Sequence, residues 1–367
     1  MKVLVEVSTM LDRKATGIGR YTAELVSAMH RLATQSGSDT ELAYLYKVSR
    51  HKLRQLLPSG RRMLWTQHRV RHALGLQAAD CVLWPHTFHP WVAARGLVAV
   101  VQDLHALHGI NYAADHEHVR QENLGALRQF ARHSERLIFS SNYVRQDFLR
   151  NFDFDATRAH VVPHGVSAQF FPRPQQEHQR FMAQHGLIRP YLLFAGSPRP
   201  SKNLPRMLEA YAASRARDSH DVVVMGKVGD DKDGRELRET IARLGIQDQV
   251  RIIGYVPEAD LALAFSAADG LLFASFDEGF GLPILEAMAA GTAVLTSNRT
   301  SCPEVAAGHA VIAEPDDVDA LRDGIEQLLD FSPARLEAAH AYASALNWER
   351  SARGTLDVLR LAAADGR

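Results

Sequence analysis

The sequence predicts an α/β protein built from two doubly wound, Rossmann-like domains that face each other across a cleft. Short apolar runs alternate with longer amphipathic segments along the 367 residues, which is typical of parallel sheets with helices on both faces. The alternation stops once, between Ser167 and Pro190, and then begins again. A chain of this length suits about two domains, each with its own core.

The first domain is predicted over residues 1–168, with strands separated by amphipathic helices. Its expected helices are Gly19–Leu32 and Val119–Arg132. Short apolar runs predict the strands Val3–Val7, Leu42–Tyr46, Cys81–Trp84, Leu97–Val101, Leu137–Ser140 and His160–Val162.

The second domain is predicted over residues 169–347, after a linker that runs from aromatic and proline residues into a polar stretch. The expected strands are Tyr191–Ala195, Val222–Met225, Val250–Ile253, Leu271–Ala274 and Ala293–Thr296. The expected helices are Leu204–Ala216, Glu236–Leu244, Leu261–Ala267, Pro283–Ala289 and Val318–Leu329. A final helix, about residues 348–363, could pack on either domain, including back onto the first.

Composition narrows the class of protein. Lys and Arg together number 42, as do Asp and Glu, so no global field attracts nucleic acid. Only Cys81 and Cys302 occur, so a disulfide framework is not expected and a reducing compartment is the default. No apolar stretch approaches the ~20 residues needed to span a bilayer. We therefore expect a cytoplasmic protein.

The most informative segment is Ser275–Glu286, in which Glu278 and Glu286 lie eight residues apart. Pro283 fits the first position of a helix, so the backbone amides of Gly281 and Leu282 would form a helix N-terminus that attracts phosphate. One carboxylate would lie in the preceding loop and the other in the first helical turn. A nucleotide-diphosphate sugar matches that arrangement, although each part alone could be a turn residue or a dipole partner.

Two cations, Arg199 and Lys202, follow the Tyr191–Ala195 strand just before a helix. They suit a diphosphate, because Arg can bind its oxygens with two donors and Lys supplies a compact charge. A solvated surface loop is the alternative. Gly17 and Gly19 precede a helix in the first domain, where they could admit a phosphate or form a plain turn. They lack the third glycine of the dinucleotide fingerprint.

Asp103 and His105 follow the Leu97–Val101 strand and are candidates for a catalytic role in the cleft. The alternative is that Asp103 is structural and caps the next segment. His164 ends the last strand of the first domain. Since the chain has 18 histidines, a structural role for any one of them is the simpler reading. No metal site is predicted, and the acidic run from Asp230 to Asp233 is explained by a solvated turn.

A basic stretch separates two of the first domain's strands. Residues 42–79 contain no acidic side chain, and apolar residues including Trp65 lie among the basic ones. Such a stretch is a candidate membrane-surface element, with nucleic acid or a solvated basic helix as alternatives. Its basic residues are Lys47, Arg50, Lys52, Arg54, Arg61, Arg62, Arg69 and Arg71.

The segment from Glu278 to Glu286 resembles the E-x7-E motif of the family 4 retaining glycosyltransferases. The resemblance covers nearly the whole chain in the family's order and implies the two-domain GT-B architecture without a bound metal. Further matching segments are Gly17–Thr22, Arg199–Asn203, Gly254–Pro257, Gly291–Val294, Pro303–Val305 and Trp348–Arg350.

The resemblance also implies roles for individual residues. Arg199, Lys202 and the neighbouring Asn203 would lie at the donor diphosphate, and Glu286 would accept hydrogen bonds from the ribose. Glu278 and the amides after it would hold the donor sugar. The remaining contacts would come from Gly17, Gly19, Tyr255, Val256, Phe280, Gly281 and Leu282, with the base against the backbone at 255–256.

One departure from the family stands in the first domain, where Gln102 replaces the histidine that many relatives carry before Asp103. Overall appearance is closest to bacterial mannosyltransferases of polysaccharide and O-antigen assembly. We therefore expect a hexose donor such as GDP-mannose or a GDP-deoxyhexose, with a UDP-sugar as alternative, and a glycan or lipid-linked glycan acceptor. A GT-B sugar-nucleotide epimerase and a non-catalytic nucleotide-sugar-binding subunit are the rival functions.

Overall fold

The structure is a computed structural model that describes residues 1–11, 17–47, 57–65, 79–87, 96–112 and 116–365. It divides into two compact units. Unit 1 comprises Met1–Gly165 together with Asn347–Arg367, and unit 2 comprises Val166–Leu346. The final helix thus belongs to the first unit, and the second unit is one continuous stretch of chain.

Unit 1 contains a parallel sheet in the order β3-β2-β1-β4-β5-β6-β7. Its central strands are apolar at every position and buried on both faces, as expected for a parallel sheet covered by helices. The strands are β1 (Lys2–Glu6), β2 (Glu41–Lys47), β3 (Arg61–Trp65), β4 (Cys81–Trp84), β5 (Leu97–Val101), β6 (Arg136–Phe139) and β7 (Ala159–Val161).

Five helices of unit 1 lie in its described part: α1 (Gly17–Ala33), α2 (His105–His108), α3 (Glu117–His133), α4 (Asn142–Asn151) and α14 (Trp348–Asp365). Helix α14 packs along α1 and against β4, β5 and β6. It is anchored at both ends, because Ser351 donates to the carbonyl of Pro163 (2.7 Å) and Asp365 pairs with Arg136 (2.5 Å).

Unit 2 contains a second parallel sheet, in the order β10-β9-β8-β11-β12-β13. Apolar cores cover both of its faces. The strands are β8 (Tyr191–Ala195), β9 (Asp221–Met225), β10 (Val250–Gly254), β11 (Gly270–Phe273), β12 (Ala293–Ser297) and β13 (Val311–Ala313).

Three of the helices of unit 2 begin at a side-chain cap. Asp231, Asp317 and Ser332 each accept a hydrogen bond from an amide of the first turn that follows them. The helices are α5 (Gln175–Gln184), α6 (Leu204–Ala212), α7 (Ala216–Ser219), α8 (Lys232–Leu244), α9 (Glu258–Ser266), α10 (Leu282–Ala289), α11 (Cys302–Ala306), α12 (Val318–Leu329) and α13 (Pro333–Ala345).

Both sheets therefore have the doubly wound order that the alternation predicted, with differences in detail. The helix expected over 204–216 is broken into α6 and α7, because the Ser214 hydroxyl bonds the carbonyl of Tyr211 (2.9 Å) and a turn replaces the helix. Strands β3 and β13 were not predicted. β13 has only three residues.

The basic stretch is not one continuous helix, because Arg61–Trp65 forms the edge strand β3. Charged residues are tolerated there, since an edge strand is paired on one side only. Residues 48–56 and 66–78, with most of the basic side chains, lie outside the described residues. Across the described ranges, no helix is long and apolar enough to cross a membrane.

Candidate active site

The order of strands in unit 2 creates a crevice at the carboxyl ends of β8 and β11. From β8 the chain continues to β9 and β10 on one side of the sheet, and then returns to place β11, β12 and β13 on the other. The loops after β8 and β11 consequently run in opposite directions and leave an opening between them. Arg199 and Lys202 follow β8, and Glu278 follows β11. The topology thus brings these predicted residues to one edge.

Three strands of unit 2 end at a glycine or just before one at this edge, so the backbone at these positions carries no side chains. Gly196, Gly226 and Gly254 stand at the ends of β8, β9 and β10, with φ of 143°, 147° and 73°. A Cβ on Gly226 would lie 2.2 Å from the carbonyl oxygen of Gly196, so only glycine fits there. Each strand end is also tied to the next by an amide-to-carbonyl bond of 2.8 Å. The three ends form a close-packed surface that a ligand can approach.

Lys202 and Glu278 form an ion pair at the centre of this edge. Lys202 Nζ lies 2.5 Å from Glu278 Oε1, although the two residues are 76 positions apart in sequence. The Glu278 side chain is 8% exposed and that of Lys202 is 21% exposed. Lys202 Nζ also lies 5.0 Å from the centre of the Phe273 ring. A cation and a carboxylate are therefore held side by side, within reach of water.

Helix α10 begins at Leu282, four residues after Glu278. Gly281 is its N-cap with φ of 96°, and Pro283 occupies the first turn, where its missing N–H leaves no unpaired donor. The amide end of the helix is thus directed toward the loop that carries Glu278. Glu286 is the fifth residue of α10 and lies in its second turn, so its predicted place in the first turn was wrong. Its side chain is buried.

The loop after β8 presents Arg199 and Lys202 in different ways. Arg199 is exposed and precedes a single 3₁₀ turn, Pro200–Lys202. Asn203 has φ of 57°, and its amide donates to the carbonyls of Ala274 (3.1 Å) and Pro315 (2.8 Å). The Asn203 side chain thus fastens the loop after β8 to the loops after β11 and β13.

Two hydroxyl residues that the sequence did not single out hold the backbone of Glu278. The amide of Glu278 donates to Thr300 Oγ1 (3.2 Å). The Ser301 hydroxyl lies 3.0 Å from the carbonyl oxygens of both Glu278 and Phe280. Thr300 and Ser301 lie in the loop after β12, the neighbour of β11 in the sheet. Only that adjacency could have revealed them.

In the segment after β10, the side chain of Tyr255 is exposed and that of Val256 is buried. Tyr255 is 65% exposed, whereas Val256 is buried in the core. Phe280, before the helix N-cap, is likewise buried. Their backbone, rather than the Val256 and Phe280 side chains, is what a ligand at this edge could contact.

Asp231 and Asp233 are accounted for by the fold. Asp231 caps α8 by accepting from the amide of Gly234 (3.0 Å). Burial raises the pKa of Asp233, and the negative charge of Asp231 raises it further by a smaller amount. Within the described ranges, no group of three or more His, Cys, Asp or Glu side chains is arranged to hold a metal ion.

Unit 1 places Asp103 at the start of α2, where it accepts from the amide of His105 (3.2 Å) and contacts that ring (3.3 Å). The N-cap of α2 is Leu104, which makes no side-chain cap bond, so Asp103 holds the start of the helix from one position earlier than a cap. Gln102 is buried; its side-chain amide donates to the carbonyl of Pro85 (3.2 Å), and its backbone carbonyl accepts from the Ser140 hydroxyl (2.8 Å). Gln102 therefore ties together the strand ends of its sheet.

Gly17 and Gly19 both belong to the first turn of α1, so the helix begins earlier than predicted. Gly17 is exposed, with no atom within 4 Å of where its Cβ would be.

The end of β1 carries an acid–imidazole pair that sequence reasoning missed. Glu6 and His86 are both buried, with Oε2 and Nε2 separated by 2.6 Å.

His164 is a structural residue, as the sequence favoured. Its ring centre lies 4.5 Å from that of Tyr21 and 5.9 Å from that of Trp348. Burial lowers the pKa of His164 to about 3, so the ring is neutral at pH 7. Together the three rings join α1, the loop after β7 and the start of α14.

Two doubly wound parallel sheets, one with a cation and a carboxylate at the crevice between β8 and β11, are the arrangement of the GT-B fold. Family models confirm it. The model described as "Glycosyltransferase Family 4" matches residues 15–170, and that described as "Glycosyl transferases group 1" matches residues 175–344. The chain belongs to the family 4 glycosyltransferases.

Named relatives are moderately similar. An O-antigen chain mannosyltransferase B of Escherichia coli is 33% identical over 62% of this chain and 61% of its own length. A D-inositol 3-phosphate glycosyltransferase of Streptomyces scabiei is 30% identical over 83% of this chain and 71% of its own. The chain therefore spans less than two thirds of the first of these relatives.

Solved structures share the fold at low sequence identity. The Anabaena protein HepE, solved with UDP and glucose, has a TM-score of 0.74 at 17% identity, covering 98% of this chain and 99% of its own. WaaG, described as a glycosyltransferase involved in lipopolysaccharide biosynthesis, has a TM-score of 0.69 at 17% identity, over 98% of this chain and 99% of its own. The GT-B fold is thus confirmed.

Proposed function

We propose that this protein transfers a hexose, with retention at the anomeric carbon, from a nucleoside diphosphate sugar to a hydroxyl of a glycan acceptor. The observation that carries the proposal is the Lys202–Glu278 pair beside the N-terminus of α10. A cation and helix amides suit a diphosphate, and a carboxylate next to them suits sugar hydroxyls. Family membership supports the same activity.

In the proposed reaction, the bond between the anomeric carbon and the β-phosphate oxygen breaks while the acceptor oxygen bonds the same face of the sugar. The acceptor proton passes to the departing phosphate oxygen. Lys202 and Arg199 stabilise the negative charge that develops on the diphosphate, which is electrostatic work that costs no reorganisation. Glu278 holds the sugar as its anomeric carbon becomes positive, and Glu286 holds the ribose.

Mannose from GDP-mannose, or a related GDP-deoxyhexose, is the proposed donor. Support comes from relatives named as mannosyltransferases, one of them for an O-antigen chain. A UDP-sugar is the alternative, since HepE was solved with UDP and glucose. The proposed acceptor is a growing glycan, free or lipid-linked. Contact of the basic 47–71 stretch with an anionic membrane stays a prediction from sequence.

A thermal-shift panel of GDP-, UDP- and ADP-sugars tests the donor assignment. A donor at 100 times its dissociation constant adds about 2.7 kcal/mol to the free energy of unfolding. We expect the largest shift with GDP-mannose and a smaller one for Lys202→Ala. Arg243→Ala is the matched control, because it breaks an exposed pair with Glu209 on the same unit.

Transfer itself is then measured as nucleotide release in the presence and absence of an acceptor glycan. Acceptor-dependent release is expected. Interconversion of the donor without an acceptor would make the protein an epimerase, and binding without either reaction would make it a non-catalytic subunit. No shift with any sugar nucleotide would overturn the proposal.

A further inference from the structure

The backbone of Glu278 is held from both sides by consecutive residues of a neighbouring loop. Thr300 Oγ1 accepts from the Glu278 amide at 3.2 Å, and the Ser301 hydroxyl is 3.0 Å from the Glu278 carbonyl oxygen. The same hydroxyl reaches the carbonyl of Phe280, also at 3.0 Å. Both peptide groups that set the direction of the Glu278 side chain are therefore fixed.

Thr300 has an unusual backbone conformation, and the side chain of Ser301 does not cap the helix that follows it. Thr300 has φ of 55°, a conformation that is a genuine outlier for a β-branched residue. Ser301 is the N-cap of α11, yet its side chain makes no cap hydrogen bond. The hydroxyls of both residues instead form hydrogen bonds with the backbone of the loop after β11. Backbone strain of the kind seen at Thr300 costs free energy and is concentrated at functional sites.

The other end of the same loop is held by the segment after β8. The Asn203 amide donates to the carbonyl of Ala274, and the Phe276 amide donates to the carbonyl of Ser201 at 2.7 Å. Asn203 also has positive φ. Of the three non-glycine residues with positive φ in the described chain, two thus bond the loop that carries Glu278.

We propose that Thr300 and Ser301 are positioning residues that aim the Glu278 carboxylate at the transferred sugar. The inference rests on the proposed function. A carboxylate that stabilises developing charge acts only if it is already in place, and a misplacement of about 1 Å can cost on the order of 100-fold in rate. The two hydroxyls supply that placement without contacting the sugar themselves.

Three substitutions of Thr300 separate placement from stability. Thr300→Val removes the acceptor for the Glu278 amide and should lower kcat by about 10- to 100-fold, with the dissociation constant of the product nucleotide unchanged within about 2-fold. Thr300→Ser keeps the hydroxyl and should restore kcat to within about 3-fold of wild type. Thr300→Gly relieves the positive φ but lacks the hydroxyl, so kcat should fall as in Thr300→Val while the melting temperature is retained.

Thr292→Val is the matched control for loss of a buried threonine hydroxyl. Thr292 Oγ1 donates to the carbonyl of Phe265 (2.6 Å), and the residue precedes β12 at the opposite end of that strand from Thr300. This variant should lower the melting temperature while kcat stays near wild type. A fall in kcat that merely follows stability across all variants would make Thr300 structural.

A double-mutant cycle with Glu278→Gln decides whether Thr300 acts through Glu278. In that background, Thr300→Val should lower kcat by less than about 2-fold, because the group it positions is already gone. Equal losses in both backgrounds, or equal kcat for Thr300→Val and wild type, would overturn the inference and leave the proposed function standing. A wild-type protein that transfers nothing from any sugar nucleotide would overturn both.

Discussion

Removal of Lys202 should affect catalysis and stability together, in a way that its pairing with Glu278 defines. Lys202→Ala removes the cation proposed at the diphosphate, and loss of a transition-state charge contact of this kind lowers the rate by about 100-fold or more. That factor corresponds to about 2.7 kcal/mol in the activation free energy. Arg199→Ala, in the same loop, should lower transfer by a similar factor.

The stability cost follows from the burial of the partner. With Lys202 gone, the Glu278 carboxylate is left without its cation at 8% exposure. An unsatisfied, largely buried charged group costs about 1–3 kcal/mol, so the melting temperature of unit 2 should fall by about 2–12 °C. Glu278→Gln should cost less, because Lys202 is more exposed and water can reach its ammonium group. Arg199→Ala should leave stability unchanged, since Arg199 is exposed.

The double variant Lys202→Ala/Glu278→Gln is the decisive measurement. It contains no unpaired carboxylate, so urea denaturation should show stability recovering by about 1–2 kcal/mol relative to Lys202→Ala. Transfer should stay as low as in the worse single variant. Additive stability losses would show that the pair does not form in solution, and near-wild-type turnover in Lys202→Ala would refute the assignment of the diphosphate cation.

Further predictions concern the carboxylates, metal and pH. Glu286→Gln should mainly raise the dissociation constant of the nucleotide, whereas Glu278→Gln should mainly lower kcat; loss of nucleotide affinity in Glu278→Gln alone would reverse their roles. Transfer should persist in excess EDTA, because Arg199 and Lys202 supply the positive charge, and loss restored by Mg²⁺ would contradict this. His164, with a pKa lowered to about 3 by burial, binds a proton only in the unfolded chain as pH falls below about 6.5. The stability it contributes is complete above that pH, and wild type should lose about 2 kcal/mol relative to His164→Phe between pH 7.5 and 5; parallel stability curves for the two proteins would contradict this.

The strands that could be predicted from sequence are those whose apolar runs report burial on both faces. β4, β5 and β8 were placed at their observed bounds for that reason. β3 was missed because it is an edge strand that begins with two arginines, and charge at an edge resembles charge on a helix surface.

The residues of the candidate site also fall into those that the sequence could reveal and those that it could not. Glu278 and Lys202 could be found because each lies at a strand end within a recognisable local motif. Thr300 and Ser301 could not, since a hydroxyl has no periodic signature and their importance comes from β12 lying beside β11. Glu6 and His86, 80 positions apart, are likewise joined only by the order of strands.

The path of the chain between the two units has a consequence for how the protein is made. The chain leaves unit 1 after Gly165 and re-enters it at Asn347, and a Cβ on Gly165 would lie 2.3 Å from the Asn347 carbonyl carbon. On the ribosome, unit 2 emerges whole and can fold as a contiguous piece. Most of unit 1 emerges before unit 2, but its core is completed only when α14, which follows unit 2 in the sequence, packs along α1. Unit 1 is therefore completed only after unit 2 has been synthesised, and removal of α14 should destabilise unit 1 more than unit 2.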